Sequence, residues 1–250
     1  MKFSVVTVAY NAATTIRDTL ASIVGQKGAA FESIVIDGGS TDGTQDIVAS
    51  FGDAIAQFVS ERDRGIYDAM NKGLARATGD VVAFLNADDF YTDDRVLRDV
   101  EAAFRSGAPT VVAGGVEQID ATGRVVRRIR PAGFTCEKIR WGIVPPHPGV
   151  FADRRLAQEA GGFDRGFKIA GDFDLFIRMS HRPEFRLATL DRTLVKMRTG
   201  GVSTTGLGIY SYMSKELKLA LVKNGVDNGN WRVDLRALRK FPELFARLGS

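Results

Sequence analysis

The sequence predicts an α/β fold: a parallel sheet with helices on both faces, followed by a helical C-terminal tail. Three observations carry this. Through the first 107 residues, short β-branched runs alternate with longer amphipathic segments, the pattern of successive βα units. Residues 81–85, Val-Val-Ala-Phe-Leu, are wholly apolar, as a central strand covered on both faces must be. Three polar loops, at 9–11, 37–44 and 86–90, each follow an apolar run, and in parallel sheets ligands bind beyond the carboxyl ends of the strands.

The elements follow in order. Residues 3–8 read as a strand and 14–24 as a helix, with Ile16, Leu20, Ile23 and Val24 on one face. Residues 33–36 and 43–51 repeat the pair, 56–59 form a weaker strand, and 66–77 form a helix with Met70, Leu74 and Ala77 inward. After the strand at 81–85, Asp93 caps a helix carrying Val96, Leu97, Val100 and Phe104, which stops at Gly107. The second half is less regular. Strands are expected at 111–112 and 125–129 around an Asp120-Ala121-Thr122-Gly123 turn, and at 185–190 and 194–197. Helices are expected at 154–160 and 172–179, and prolines 145, 146 and 148 break structure around His147. The tail reads as two helices, 210–222 and 233–248, separated by Asn224-Gly225 and Asn228-Gly229-Asn230.

With 250 residues and 44% hydrophobic content, the chain can bury one large core. Its net charge of +4 sits in the tail: residues 206–250 hold eight Lys/Arg and four acids, leaving 1–205 formally neutral. One cysteine, Cys136, excludes an internal disulfide and a Cys-based zinc site, and fits a cytoplasmic protein. The chain start shows no signal-sequence pattern, and no apolar run approaches the roughly 20 residues of a membrane span. Two histidines, His147 and His181, are too few for an ordinary zinc site.

Two segments carry candidate chemistry. In Phe84-Leu85-Asn86-Ala87-Asp88-Asp89, adjacent carboxylates follow a buried strand. Such oxygens suit magnesium or manganese, and equally suit a turn whose acids cap the next helix. In Asp37-Gly38-Gly39-Ser40-Thr41-Asp42-Gly43-Thr44, Asp37 can accept bonds from a base or ribose, or the whole can be a glycine-rich turn with a good cap. It is neither a phosphate-binding P-loop nor a dinucleotide fingerprint.

Taken together, Ser4 to Asn11, Asp37 to Thr44, Asn71-Lys72-Gly73 with Ala77-Thr78-Gly79-Asp80, and Phe84 to Asp89 resemble the family 2 glycosyltransferases of GT-A fold. The run Glu61 to Gly73 looks like the branch that includes colanic-acid-type enzymes of bacterial surface polysaccharide assembly. The resemblance covers roughly residues 3–205. It implies a GT-A domain over 1–205, a Rossmann-like mixed, mainly parallel sheet with helices on both faces, with a nucleotide-binding half at 1–107 and an acceptor half at 108–205, followed by a basic amphipathic helical tail at 206–250.

The resemblance also implies roles. Thr7, Ala9 and Tyr10 line the nucleotide pocket, Asp37 binds base or ribose, and Arg64 borders the pocket. Asn86 and Ala87 face the donor, and Asp88 holds the divalent metal, manganese or magnesium, that bridges the donor diphosphate. The family motif is usually Asp-x-Asp, and Asn86 replaces its first acid. In Ala170-Gly171-Asp172-Phe173-Asp174, Asp172 matches the family's catalytic base, Gly171 replaces the usual Glu, and Asp174 is the second candidate. Asp172 can equally cap its helix. His147 is either a contact to sugar or acceptor or a pocket wall, and His181 a solvated helix end. Met197 to Ser203 would form a lid over the phosphates, with Arg198 lending charge.

The implied function is inverting, metal-dependent transfer of a sugar from a nucleotide-diphosphate sugar to a saccharide or lipid-linked acceptor, in surface polysaccharide or glycolipid assembly. The alternative is a non-catalytic nucleotide-sugar-binding protein, supported by Asn86 and Gly171. The tail can pack on the domain or a second subunit, or lie on the inner face of an anionic membrane. No motif points to nucleic acid. The reading requires Asp37, Asp88 and Asp172 to converge on one cavity.

Overall fold

The computed structural model describes residues 1–199, 207–226 and 231–239. Residues 200–203 of the lid expected over 197–203, the Asn228-Gly229-Asn230 break and the tail beyond 239 lie outside the described residues. In chain order the elements are β1 (Lys2–Ala9), α1 (Ile16–Val24), β2 (Ala30–Asp37), α2 (Thr44–Ala49), β3 (Gln57–Ser60), α3 (Ile66–Arg76), β4 (Val81–Phe84), β5 (Asp89–Tyr91), α4 (Val96–Arg105), β6 (Val111–Ile119), β7 (Val125–Ile129), β8 (Val150–Asp153), α5 (Arg154–Glu159), α6 (Gly171–Ser180), β9 (Leu187–Arg198), α7 (Leu207–Lys223) and α8 (Trp231–Arg239).

One mixed sheet runs β3-β2-β1-β4-β8-β6-β9-β5, with β7 paired to β6. The first four strands are parallel, as are β6 and β9. The strand β8 enters antiparallel between β4 and β6, and β5 and β7 pair antiparallel at the far side. Strand alternation divides the core in two. Val6, Val8, Ile34, Ile36, Val82 and Phe84 point to the layer of α3, α5 and α6. Phe3, Val5, Val35, Val81 and Ala83 point to α1 and α4. Both faces being covered explains why β1 and β4 are apolar throughout.

Two elements depart from the sequence reading. The stretches expected as separate strands at 185–190 and 194–197 form one twelve-residue strand, β9. Asp191-Arg192, between the two expected strands, lies where the β6–β9 register slips, at Gly114. A Cβ at Gly114 would sit 2.1 Å from Leu194, so the slip needs glycine there. The strand β5 is three residues long and was not anticipated. It is held by β9 and by the Thr19 hydroxyl, which donates to the Asp89 carbonyl at 2.7 Å. The α4 cap is Arg95 rather than Asp93, whose Oδ1 accepts the Arg95 N–H at 2.9 Å.

The helix α7 packs on the domain through buried Leu217, Ala220 and Leu221. Its other face exposes Tyr212, Leu219 and Val222, and α8 exposes Trp231 and Leu235. Among the described residues, no helix is long and apolar enough to cross a membrane.

Candidate active site

A cleft of about 1200 Å³ opens at the carboxyl ends of β1 and β4, where the topology places ligands. Its walls come from six regions: the β1–α1 loop, the start of α3, the 86–89 turn with the end of β9, β7 through Arg127 and Ile129, the segment from 142 to the first turn of α6, and α7 through Met213 and Leu217.

Asp88 and its neighbours form one wall. The chain leaving β4 continues along β1, with the Leu85 and Ala87 N–H groups donating to the Val6 and Val8 carbonyls at 2.9 and 3.3 Å. The Asp89 N–H closes a turn on the Asn86 carbonyl at 3.0 Å. This rigid turn sets Asn86, Asp88 and Asp89 into the cleft. Burial raises the Asp88 carboxyl above its ordinary value, while the local backbone, Arg198 and His147 offset part of that. Burial and the adjacent Asp88 push Asp89 well above the carboxylate range. Arg198 offsets this in part through its backbone amide and charge, but that amide lies outside full hydrogen-bonding geometry. Both Asp89 oxygens and the Asn86 Oδ1 are buried without a hydrogen-bond partner. Three orphaned acceptor oxygens beside a carboxylate are costly unless a cation or donor satisfies them. An all-oxygen set with two carboxylates fits magnesium or manganese, which fill their remaining positions with water and phosphate oxygens. Among the described residues, no group of three or more His, Cys, Asp or Glu forms a closed metal cage.

Arg198 closes this wall. Its Nη1 donates to the Asp88 carbonyl at 3.1 Å, its Nη2 pairs with Asp18 at 2.5 Å, and its guanidinium lies 4.8 Å from the Phe90 ring centroid.

Asp172 stands on another wall, in the first turn of α6. The cap is Ala170, and no side-chain cap bond is made. The expectation of Asp172 as a helix cap is therefore not what the structure shows. Burial raises its carboxyl above the ordinary value. His147 and the Asp172 and Phe173 amides oppose this, and Glu216 adds to it. His147 lines the cleft, and both Asp172 and Asp88 act on it electrostatically. Its Nε2 is buried without a partner, and burial lowers its pKa against the pull of both carboxylates.

Asp174 does not reach the cleft. It is fully buried, with Oδ2 paired to Arg178 at 2.7 Å and Oδ1 accepting from Asn224 at 2.8 Å. Its oxygens hold α6 in place and are not free to act as a base.

Tyr10, Arg64, Asn86, Ala87, Asp88 and Asp172 all line the cleft, and Tyr10 is 68% exposed. Thr7, Ala9 and Asp37 do not. Thr7 and Ala9 are buried in β1. Asp37 has no exposed surface: its carboxylate accepts from the Gly39 and Ser40 N–H groups at 3.2 and 2.9 Å, from the Ser60 hydroxyl at 2.6 Å, and from the Ser40 hydroxyl. It folds back on its own loop and fixes the turn that flanks Tyr10 and Asn11. The required convergence thus holds for Asp88 and Asp172, and Asp37 acts from behind the wall.

Several lining residues carry no legible signal in sequence. Arg127, Arg165 and Lys168 add positive charge to the cleft, and Tyr67 and Asp68 come from α3. A lone arginine in a hairpin or loop reads as surface charge. Tyr67 also explains Gly171: a Cβ there would lie 2.7 Å from the tyrosine ring.

The comparisons agree with this geometry. Residues 4–176 match the family model described as "Glycosyl transferase family 2". An uncharacterised glycosyltransferase of Mycobacterium tuberculosis is 35% identical over 179 residues, covering 70% of this chain and 67% of that protein. A PGL/p-HBAD biosynthesis glycosyltransferase of Mycobacterium bovis is 29% identical over 184 residues, covering 72% and 70%. Among solved structures, Staphylococcus aureus TarS superposes with a TM-score of 0.66 at 21% identity, over 89% of this chain and 40% of that one. Its 1–349 form in complex with UDP-GlcNAc gives 0.67 at 20% identity, over 89% and 67%. A mannosyltransferase of Pyrobaculum calidifontis in complex with GDP-Man and Mn2+ gives 0.65 at 21% identity, over 94% and 73%. At these identities the structures establish a shared GT-A-like fold. With a family model spanning well over half its length, the chain belongs to glycosyl transferase family 2.

Proposed function

We propose that this chain is an inverting glycosyltransferase that moves a sugar from a nucleotide-diphosphate sugar to an acceptor hydroxyl, with a divalent metal at Asp88 and Asp172 as the base. The observation that carries the reading is the pairing of two chemically different carboxylates on separate walls of one cleft. Asp88 sits among unsatisfied oxygens. Asp172 has a proton affinity raised by burial, which the Asp172 and Phe173 amides offset only in part, and it is not the cap of its helix.

Asp88, with Asn86 and Asp89 beside it, would hold magnesium or manganese, which supplies Lewis-acid neutralisation of the departing diphosphate. Arg198, Arg64 and Arg165 add fixed positive charge along the same path. Tyr10, exposed at the mouth, offers its ring to the base. Asp172 accepts the proton of the acceptor hydroxyl, which then attacks the anomeric carbon from the face opposite the diphosphate. Of the other cleft acids, Asp68 is ion-paired to Arg165 and Lys72, and Asp88 and Asp89 lie at the metal wall. Among the described residues no second cleft carboxylate remains to serve as a nucleophile, which favours direct displacement with inversion. The acceptor is a saccharide or lipid-linked saccharide of surface polysaccharide or glycolipid assembly, and the Mycobacterium bovis relative is a PGL/p-HBAD biosynthesis glycosyltransferase.

The test is release of nucleoside diphosphate from a donor panel that includes UDP-GlcNAc and GDP-mannose, with Mn2+ and with soluble and lipid-linked acceptors. The native chain should turn over at least one donor, and Asp172→Asn should abolish that turnover while keeping donor affinity. A native chain that binds donors but turns over none would be a nucleotide-sugar-binding protein instead.

A further inference from the structure

The loop that delivers Asp172 is gripped from the C-terminal tail. Glu216, on α7, is 6% exposed. One of its oxygens accepts the Lys168 N–H at 2.8 Å, and the other accepts the Ile169 and Ala170 N–H groups at 2.8 and 2.9 Å. Three successive amides therefore converge on one carboxylate 46 to 48 residues away, immediately before the helix turn that carries Asp172. Tyr212, one turn earlier on α7, also lowers the proton affinity of this carboxylate. Burial opposes its ionisation, but the three amides and Tyr212 outweigh burial and keep Glu216 charged. The opposite side of the loop is held by Tyr67, whose hydroxyl donates to the Ile169 carbonyl at 2.6 Å. Just past the end of α7, the Asn224 amide donates to the Asp174 carboxylate at 2.8 Å and so ties α6 to the same segment.

A carboxylate is a poor choice for merely docking a helix, because an apolar contact would do so without desolvating a charge. It suits the task of fixing backbone, since successive N–H groups aimed at one anion have a single good geometry. The position next to Asp172 carries Gly171, where the Tyr67 ring leaves no room for a side chain. A second acid cannot come from that place in the chain, and α7 brings one from elsewhere.

We propose that Glu216 is a positioning residue for the Asp172 base: it locks the 168–170 backbone and so aims the Asp172 carboxylate into the cleft, which makes α7 part of the catalytic apparatus. This rests on the reading of Asp172 as the base.

The experiment compares Glu216→Ala, Glu216→Gln and Asp172→Asn in the full chain. It measures thermal midpoint, donor affinity by calorimetry, and nucleoside diphosphate release from UDP-GlcNAc and GDP-mannose with Mn2+. Acetate, the fragment that the alanine truncation removes, is added as a rescue agent. Glu216→Ala should keep donor affinity and lose about 100-fold in kcat, the scale of a misplaced catalytic group. Added acetate should refill the amide cradle and recover part of that loss, with no effect on the native chain. Glu216→Gln should fall between, since it keeps one acceptor oxygen and sets an NH2 against a donor. Native kcat in a folded Glu216→Ala, or a loss of kcat and donor affinity together with no recovery in acetate, overturns the proposal. If Glu216→Ala does not fold, Glu216→Gln decides by the same split between kcat and affinity. Asp172→Asn separates the two readings: if it retains turnover, the base assignment fails. If it is inactive while Glu216 variants are native, only the positioning role fails.

Discussion

Replacing Gly171 with alanine tests how tightly the base is framed. The added Cβ would lie 2.7 Å from the Tyr67 ring, where ordinary contacts begin near 3.4 Å. The ring cannot yield cheaply. Its hydroxyl is bonded to the Ile169 carbonyl, and its face stacks on Phe163 with centroids 5.5 Å apart and planes 13° from parallel. Overpacking of this kind costs about 1–3 kcal/mol. In a chain this size each kcal/mol lowers the thermal midpoint by roughly 2–4 °C, so Gly171→Ala should lower it by roughly 2–12 °C. The cost should vanish when the ring is removed. In a Tyr67→Ala background, already about 3–5 kcal/mol less stable, adding Gly171→Ala should be neutral. A double-mutant cycle read by urea denaturation measures this coupling directly. An alanine that costs the same in both backgrounds would refute the claim that Tyr67 is the reason for glycine.

One further prediction concerns the start of β2, at the end of the sheet away from the cleft, and another the cleft wall. Glu32 is held at about 2, below its ordinary 4.5: burial opposes ionisation, but bonds from Lys2, Ser4 and Thr78 overcome it. Because the folded value is the lower one, this stabilisation is present above the ordinary value and is lost as pH falls through about 2. Glu32→Gln should therefore cost about 3 kcal/mol near neutral pH, with the gap closing in acid, by denaturation at several pH values. A gap that stays constant with pH would contradict this. Arg198→Ala removes the bond to the Asp88 carbonyl, the Asp18 ion pair and the Phe90 contact. Donor affinity by calorimetry should weaken about tenfold, and unchanged affinity would remove Arg198 from the donor path.

The parts of the site legible in sequence are those set by local pattern. Asp88 could be read because a wholly apolar strand precedes it, which fixes both its place at a strand end and its rigidity. Asp37 shows the limit of the same logic. It also ends a strand, but a carboxylate followed by Gly-Gly-Ser can bond its own loop amides, and in the structure it does. Nothing local distinguishes an acid that faces a ligand from one that folds back. Asp172 and Asp174 differ by two residues, and only the partners Arg178 and Asn224 separate the free carboxylate from the engaged one. Glu216 was beyond reach because its role depends on three amides far away in the chain. The continuity of β9 through Asp191-Arg192 has no local signal, because the residue that accommodates the register slip, Gly114, lies on a different strand.

The division of labour across the cleft is tested most directly by one calorimetric comparison. UDP and GDP, each with Mn2+, are titrated into the native chain, Asp88→Asn and Asp172→Asn. Metal-dependent binding that is lost in Asp88→Asn and intact in Asp172→Asn is the predicted result. Equal losses in both, or binding by Asp88→Asn as tight as native, would contradict the assignment of the two walls.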